Sequence, residues 1–218
     1  LDSFDSIFSV LILLSAFLLM AHKRIKSYIG TLRLQSVLIA AATVAAGVKN
    51  YLDKGGIDLF VVSLIVIAVK VLYIPGKLHK TWASVEYTVE KDFLMNIPML
   101  ILICCGIVVL TFFSLSNILP LPGGASVLPL VNTISIVLIG LFFIISRKKA
   151  IGQIVGLVVI ENGLFATALF ASNGLSFIVD MGIFVDLITS VLIMGIMVFR
   201  ISEHHGSIDT DKLNNLRG

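Results

Sequence analysis

Apolar residues run through this chain in uninterrupted stretches too long for the interior of a small soluble domain. Read between charged or Gly/Pro breaks, they lie near 4–21, 29–48, 57–75, 93–115, 127–145, 151–171 and 177–200. Each can cross a hydrocarbon core of about 30 Å as a helix. The runs are continuous and do not alternate with polar residues, so helices are expected and strands are not. Composition agrees, with 58% apolar and 13% charged residues, against about 45–50% and about 25% in an average soluble domain. No polar shell remains to cover a water-facing surface. The expectation is an all-α, polytopic membrane protein of about seven transmembrane helices, with no room in 218 residues for an extramembrane catalytic domain. The run Ile7 to Ala21 is followed by basic residues but by no small-residue cleavage site, so it reads as a span and not as a signal peptide.

Lys and Arg set the expected orientation. Sorted alternately, the loops place Lys23, Arg24, Lys26, Lys77, Lys80, Lys91, Arg147, Lys148, Lys149, Arg200, Lys212 and Arg217 on one side and only Lys49 and Lys54 on the other. The positive-inside rule makes the first side cytoplasmic, with the N-terminus outside and the tail 202–218 inside. Only an odd number of spans gives that arrangement. The loop from Gly76 to Asp92 carries Trp82 and Tyr87 and is expected to hold a short interfacial helix, whereas the uncharged loop Ser116 to Ser126 reads as a tight re-entry.

A faint internal repeat is also legible. Sliding the first three spans onto the last three brings His22–Lys26 onto Arg147–Lys149, Gly30 onto Gly156 and Gln35 onto Glu161. It divides the chain into a membrane unit 1–92, a linking span and loop 93–126, and a second membrane unit 127–218.

Charged groups inside spans carry the functional argument, because each is unfavourable by about 2.5–3.5 kcal/mol at a helix centre. Glu161 and Asp186 both fall within roughly 5 Å of the midplane on consecutive helices. Two acids at one depth can exchange protons, or can serve only as hydrogen-bonded packing groups. Arg33 and Lys70 lie nearer the cytoplasmic ends of spans two and three. Both can snorkel, and a lysine beside acids in a low-dielectric site can also modulate their titration. Gln35, Asn132, Gln153 and Asn162 are suited to bonding helix to helix or holding a water, and the small residues from Ala40 to Gly47 offer a face for close packing. Asp180 reads as solvated near a span end. His22, His79, His204 and His205 lie outside the spans with no second ligand at metal-binding spacing. The adjacent Cys104 and Cys105 read as small buried hydrophobes. A net charge of +3 gives no reason to expect nucleic acid, while lipid is an expected partner.

The residues Ser146–Lys149, Gln153–Gly156, Glu161-Asn162-Gly163, Val179–Ile183 and Asp186, with the tail His205–Asp209 and Leu213–Gly218, resemble the membrane component E of hydrogenase-4 and formate hydrogenlyase-type complexes. That family is related to the three-helix K subunit of respiratory complex I and to the C subunit of multisubunit cation/proton antiporters. The resemblance implies that spans five to seven form the K-like unit, with Asp186 at the place of the acid in the K subunit's third helix. The K subunit's second-helix acid aligns on Val158, whereas this chain has Glu161 three residues later, on the same helix face.

What the resemblance implies is a non-redox membrane-arm subunit of a complex I-like, group 4 nickel–iron hydrogenase in a prokaryotic inner membrane. It would take part in proton or sodium translocation through Glu161, Asp186, Lys70, Arg33, Asn162 and Gln35. It implies no cofactor in this chain, with the nickel–iron centre and iron–sulfur clusters in peripheral partner subunits. Large antiporter-like subunits and a quinone-site-like subunit would be its membrane neighbours. A purely structural scaffold subunit of the same complex and an independent secondary transporter are the competing expectations.

Overall fold

A computed structural model describes residues 2–76, 78, 96–118, 127–147 and 150–171. Helix α1 is Asp2–Ala21 and α2 is Ile25–Lys54. Helix α3, Asp58–Val66, runs on without a break as a π-helical segment, Ile67–Tyr73. Then follow α4, Ile97–Ile118, α5, Leu128–Ser146, and α6, Ala150–Ala171. Among the described residues there is no strand, and six helical stretches are long and apolar enough to cross a membrane. These are the first six expected spans. The seventh, at 177–200, lies outside the described residues, as do Trp82, Tyr87, most of the loop before α5 and the tail.

The polarity of the fold is that of a protein dissolved in lipid. Leu64, Leu102 and Leu110 are exposed, while Ser9, Ser15, Thr43, Thr133 and Ser135 are buried. All five hydroxyls donate a hydrogen bond to a carbonyl of their own helix, as Ser135 Oγ does to Val131 O at 2.7 Å and Ser15 Oγ to Ile12 O at 2.6 Å. These five hydroxyls then need no water.

Helix α2 outruns its expected span of 29–48. Its 30 residues extend about 45 Å, more than the ~30 Å hydrocarbon core. The end of the apolar run is therefore not the end of the helix, since a helix can continue into the polar interface. It stops at Gly55, whose φ of 72° reverses the chain and whose N–H donates to Tyr51 O at 2.9 Å.

Helices α1, α2, α6 and α5 follow one another around a four-helix core, with α3 against α2, and α4 against α5 and α1. The connections α1–α2 and α5–α6 are short, and each has an arginine in extended conformation at the turn, Arg24 (φ −96°, ψ 131°) and Arg147 (φ −106°, ψ 131°). The Ala-rich face of α2 packs as its composition implies. Ala40, Ala42 and Thr43 are buried, Ser63 Oγ donates to Ala40 O at 3.5 Å, and a methyl at Gly47 would lie 3.3 Å from Leu59 Cβ. Of the two cysteines only Cys104 is buried; Cys105, turned about 100° from it on the helix, is exposed on α4.

Candidate functional site

Glu161 sits halfway along α6, ~16 Å from its start at Ala150, and is 2% exposed. From the π-helical end of the third span, Lys70, 1% exposed, reaches it with Nζ 3.3 Å from Glu161 Oε1. The same ammonium donates to Asn162 Oδ1 at 3.2 Å and lies 4.9 Å from the centroid of the Phe165 ring. Glu161 and Phe165 are one helical turn apart and so share a face, with Asn162 beside them. Asn162 Nδ2 donates to Gln35 Oε1 at 2.9 Å, and Gln35 Nε2 donates to Ile12 O at 3.5 Å. One polar chain thus crosses the interior from the third span to α6, α2 and α1.

The arrangement answers the energetic objection to charge in lipid. Each ion is compensated by the other, the ammonium also by an amide oxygen and an aromatic face, and each amide by the next. Chemically, a carboxylate and an ammonium at 3.3 Å form a buried ion pair in which each charge offsets the desolvation of the other. The amides orient the pair and carry no charge themselves. Among the described residues no group of three or more His, Cys, Asp and Glu side chains is placed to hold a metal ion.

Four of the six residues singled out from the sequence, Gln35, Lys70, Glu161 and Asn162, therefore meet in one cluster. Arg33 stands apart: it is exposed, and its Nε donates to the backbone carbonyl of Val71 at 3.2 Å. Asp186 and Asp180 lie outside the described residues. Asn132 joins two helices by donating Nδ2 to Ser9 Oγ at 3.0 Å, and Gln153 donates to Arg147 O at 3.4 Å. The imidazole-bearing His22 is half-buried, and its carbonyl accepts from Tyr28 Oη at 3.3 Å.

Arg147, counted from the sequence among the loop charges of the basic side, lies in the interior. It is 2% exposed, donates Nη2 to Met20 O at 3.0 Å, and lies 4.4 Å from the Phe143 ring centroid and 5.4 Å from that of Tyr28. Only Phe143, four residues before Arg147 and hence one turn away, hints at this in the sequence. A guanidinium stacks on rings as an ammonium does not. Arg147→Lys is therefore expected to lower the stability of the detergent-extracted protein by roughly 1–2 kcal/mol, read as an earlier thermal unfolding midpoint. An unchanged midpoint would refute a packing role for the guanidinium plane.

Comparison with known proteins finds relatives of the chain. Residues 128–218 match the family of NADH-ubiquinone/plastoquinone oxidoreductase chain 4L, the family of the complex I K subunit. The chain is 27% identical over 150 residues to hydrogenase-4 component E of Escherichia coli K12, covering 68% of this chain and 69% of that protein. Hydrogenase-4 component E of Shigella flexneri matches over the same extent. An uncharacterized protein of Mycobacterium tuberculosis is 26% identical over 208 residues, 94% of this chain and 92% of its own length. No solved structure matches. The resemblance carried by Gln153–Gly156 and Glu161–Gly163 in the sequence is thus found again by similarity over much longer stretches.

Proposed function

We propose that this chain is a non-redox membrane-arm subunit of a complex I-like hydrogenase, in which the Lys70–Glu161 pair takes part in proton or sodium movement coupled to electron transfer elsewhere. The observation that carries the reading is the buried ion pair between the third span and the middle of α6, held by Asn162 and Gln35. The similarity to hydrogenase-4 component E and to chain 4L supplies the class of assembly. In this reading Glu161 exchanges protons with Asp186, Lys70 modulates that exchange, and the two amides keep the pair aligned. The redox centres, a nickel–iron site and iron–sulfur clusters, belong to peripheral subunits, and antiporter-like and quinone-site-like subunits are the membrane neighbours. The Lys and Arg bias puts the N-terminus outside the cytoplasmic membrane and the C-terminal tail inside.

The test is a pair of near-isosteric substitutions, Glu161→Gln and Asp186→Asn, with proton uptake and hydrogen turnover both measured in inverted membrane vesicles. The expected result is an assembled complex that still turns over hydrogen but translocates less, by at least roughly tenfold if each carboxyl is an obligatory carrier. Full translocation in both variants would leave the scaffold reading. That second reading has its own support, since the hydrogen bonds of Gln35 and Asn162 tie one helix to another and a buried pair can act as a packing device.

A further inference from the structure

Arg33 has an exposed charge, yet the bond it makes is to the backbone of the segment that carries the buried Lys70. The acceptor, Val71 O, directly follows Lys70 at the centre of the π-helical segment Ile67–Tyr73. In an α-helix that carbonyl would accept from the N–H of residue 75, and in a π-helix the Lys70 carbonyl would accept from the same group. Residue 75 is proline, which has no N–H and whose ring crowds the carbonyl four residues before it. The helix widens just ahead of it, with Ile74 N–H donating five residues back to Val69 O. Arg33 Nε, 3.2 Å from Val71 O, supplies a donor where Pro75 removes one.

We infer that Arg33 is a positioning residue, a side-chain clamp that replaces the missing N–H of Pro75 and holds the π-helical register that delivers Lys70 to Glu161 and Asn162. Register decides where Lys70 points, because a π turn closes on one residue more than an α turn and the side chains beyond it are rotated by the difference. Helix α2 then restrains Lys70 twice: Arg33 holds the backbone beneath it, and Gln35 holds the Asn162 amide beyond its ammonium. A guanidinium does not give up its proton in proteins, so Arg33 acts through Lys70 and not as a relay. This consequence for transport rests on the functional reading above, whereas the clamp itself does not.

Chemistry supplies a sharp test, because Gln Nε2 stands the same number of bonds from the backbone as Arg Nε. Gln therefore offers an N–H at the clamping position without charge, whereas Lys has a carbon there and keeps the charge. Hydrogen–deuterium exchange of peptides covering 67–76 is to be measured on the full chain, extracted with the polypeptides that accompany it. Arg33→Gln is expected to keep the wild-type rate, and Arg33→Lys and Arg33→Met to exchange roughly tenfold faster, the loss of one charge-assisted bond. In a Pro75→Ala background, which restores a backbone donor, Arg33→Met is expected to have no further effect. Protection kept by Lys and lost by Gln would make Arg33 a charge anchor and overturn the clamp, as would equal rates in every variant. If the exchange pattern is as expected while Lys70→Met translocates protons normally, the clamp stands and the proton-transfer role of Lys70 falls.

Discussion

Lys70→Met is expected to destabilise the protein by roughly 3–5 kcal/mol, because it leaves the Glu161 carboxylate in an apolar interior without its ammonium. Glu161→Gln is expected to cost less, since the ammonium keeps the Asn162 oxygen at 3.2 Å and the Phe165 ring. The informative variant is the double substitution Lys70→Met with Glu161→Gln. It removes both charges at once, and a neutral pair can rival the ion pair when the volume is kept. Thermal unfolding in detergent of the two single variants and the double closes the cycle. The double variant is expected to be more stable than Lys70→Met alone, with a coupling of about 1–3 kcal/mol. Simply additive losses would mean that the two side chains do not depend on each other.

Gly156→Leu is expected to abolish assembly of the α5–α6 hairpin, the largest effect of any single change outside the polar cluster. A Cβ at Gly156 would lie 2.6 Å from Ile144 Cγ1 and 3.1 Å from Gly140 O, and one at Gly140 would lie 2.9 Å from the Ile160 backbone nitrogen. A Cβ at Gly163 would meet the Val137 nitrogen at 2.9 Å. The two backbones touch along that seam, so even Gly156→Ala forces them apart, at a cost of about 1–3 kcal/mol. Gly30→Ala is the control, because nothing lies within 4 Å of its Cβ position and a methyl on an exposed helix position is neutral or slightly stabilising. The measurement is the yield and unfolding midpoint of folded protein from membranes. Equal tolerance at both positions would mean that the helices are not held at backbone contact.

That contrast also bears on the faint repeat, in which Gly30 and Gly156 are counterparts. The two residues occupy similar places after equivalent turns, yet one faces open space and the other a neighbouring backbone. The alignment of Gln35 with Glu161 fares differently: Gln35 meets Asn162, the residue next to Glu161, in the same polar chain. Sequence spacing placed these groups at comparable depth on their helices. It carried no information on which of them face one another.

Arg33, Lys70 and Arg147 define the limit of sequence reading most clearly. All three are basic residues near span ends, where snorkelling is the simple expectation. The structure separates them: Lys70 is driven inward to a carboxylate, Arg147 lies between aromatic rings, and Arg33 is exposed while bonding backbone. Pro75 was the one local sign that the third span is not a regular helix.

Length and hydropathy of the apolar runs determined by themselves that this is an all-helical membrane protein, where its first six described spans lie, and which few polar residues inside them need a reason. These are local quantities, set by the cost of placing each side chain and peptide group in hydrocarbon. Tertiary structure alone decided which polar residues meet, how far α2 runs beyond the lipid, and which arginine is buried. Those outcomes depend on the rotation of each helix about its axis and on how closely two backbones can approach. Glycines on facing helices and a proline-induced change of register set those variables, across separations that no local pattern spans.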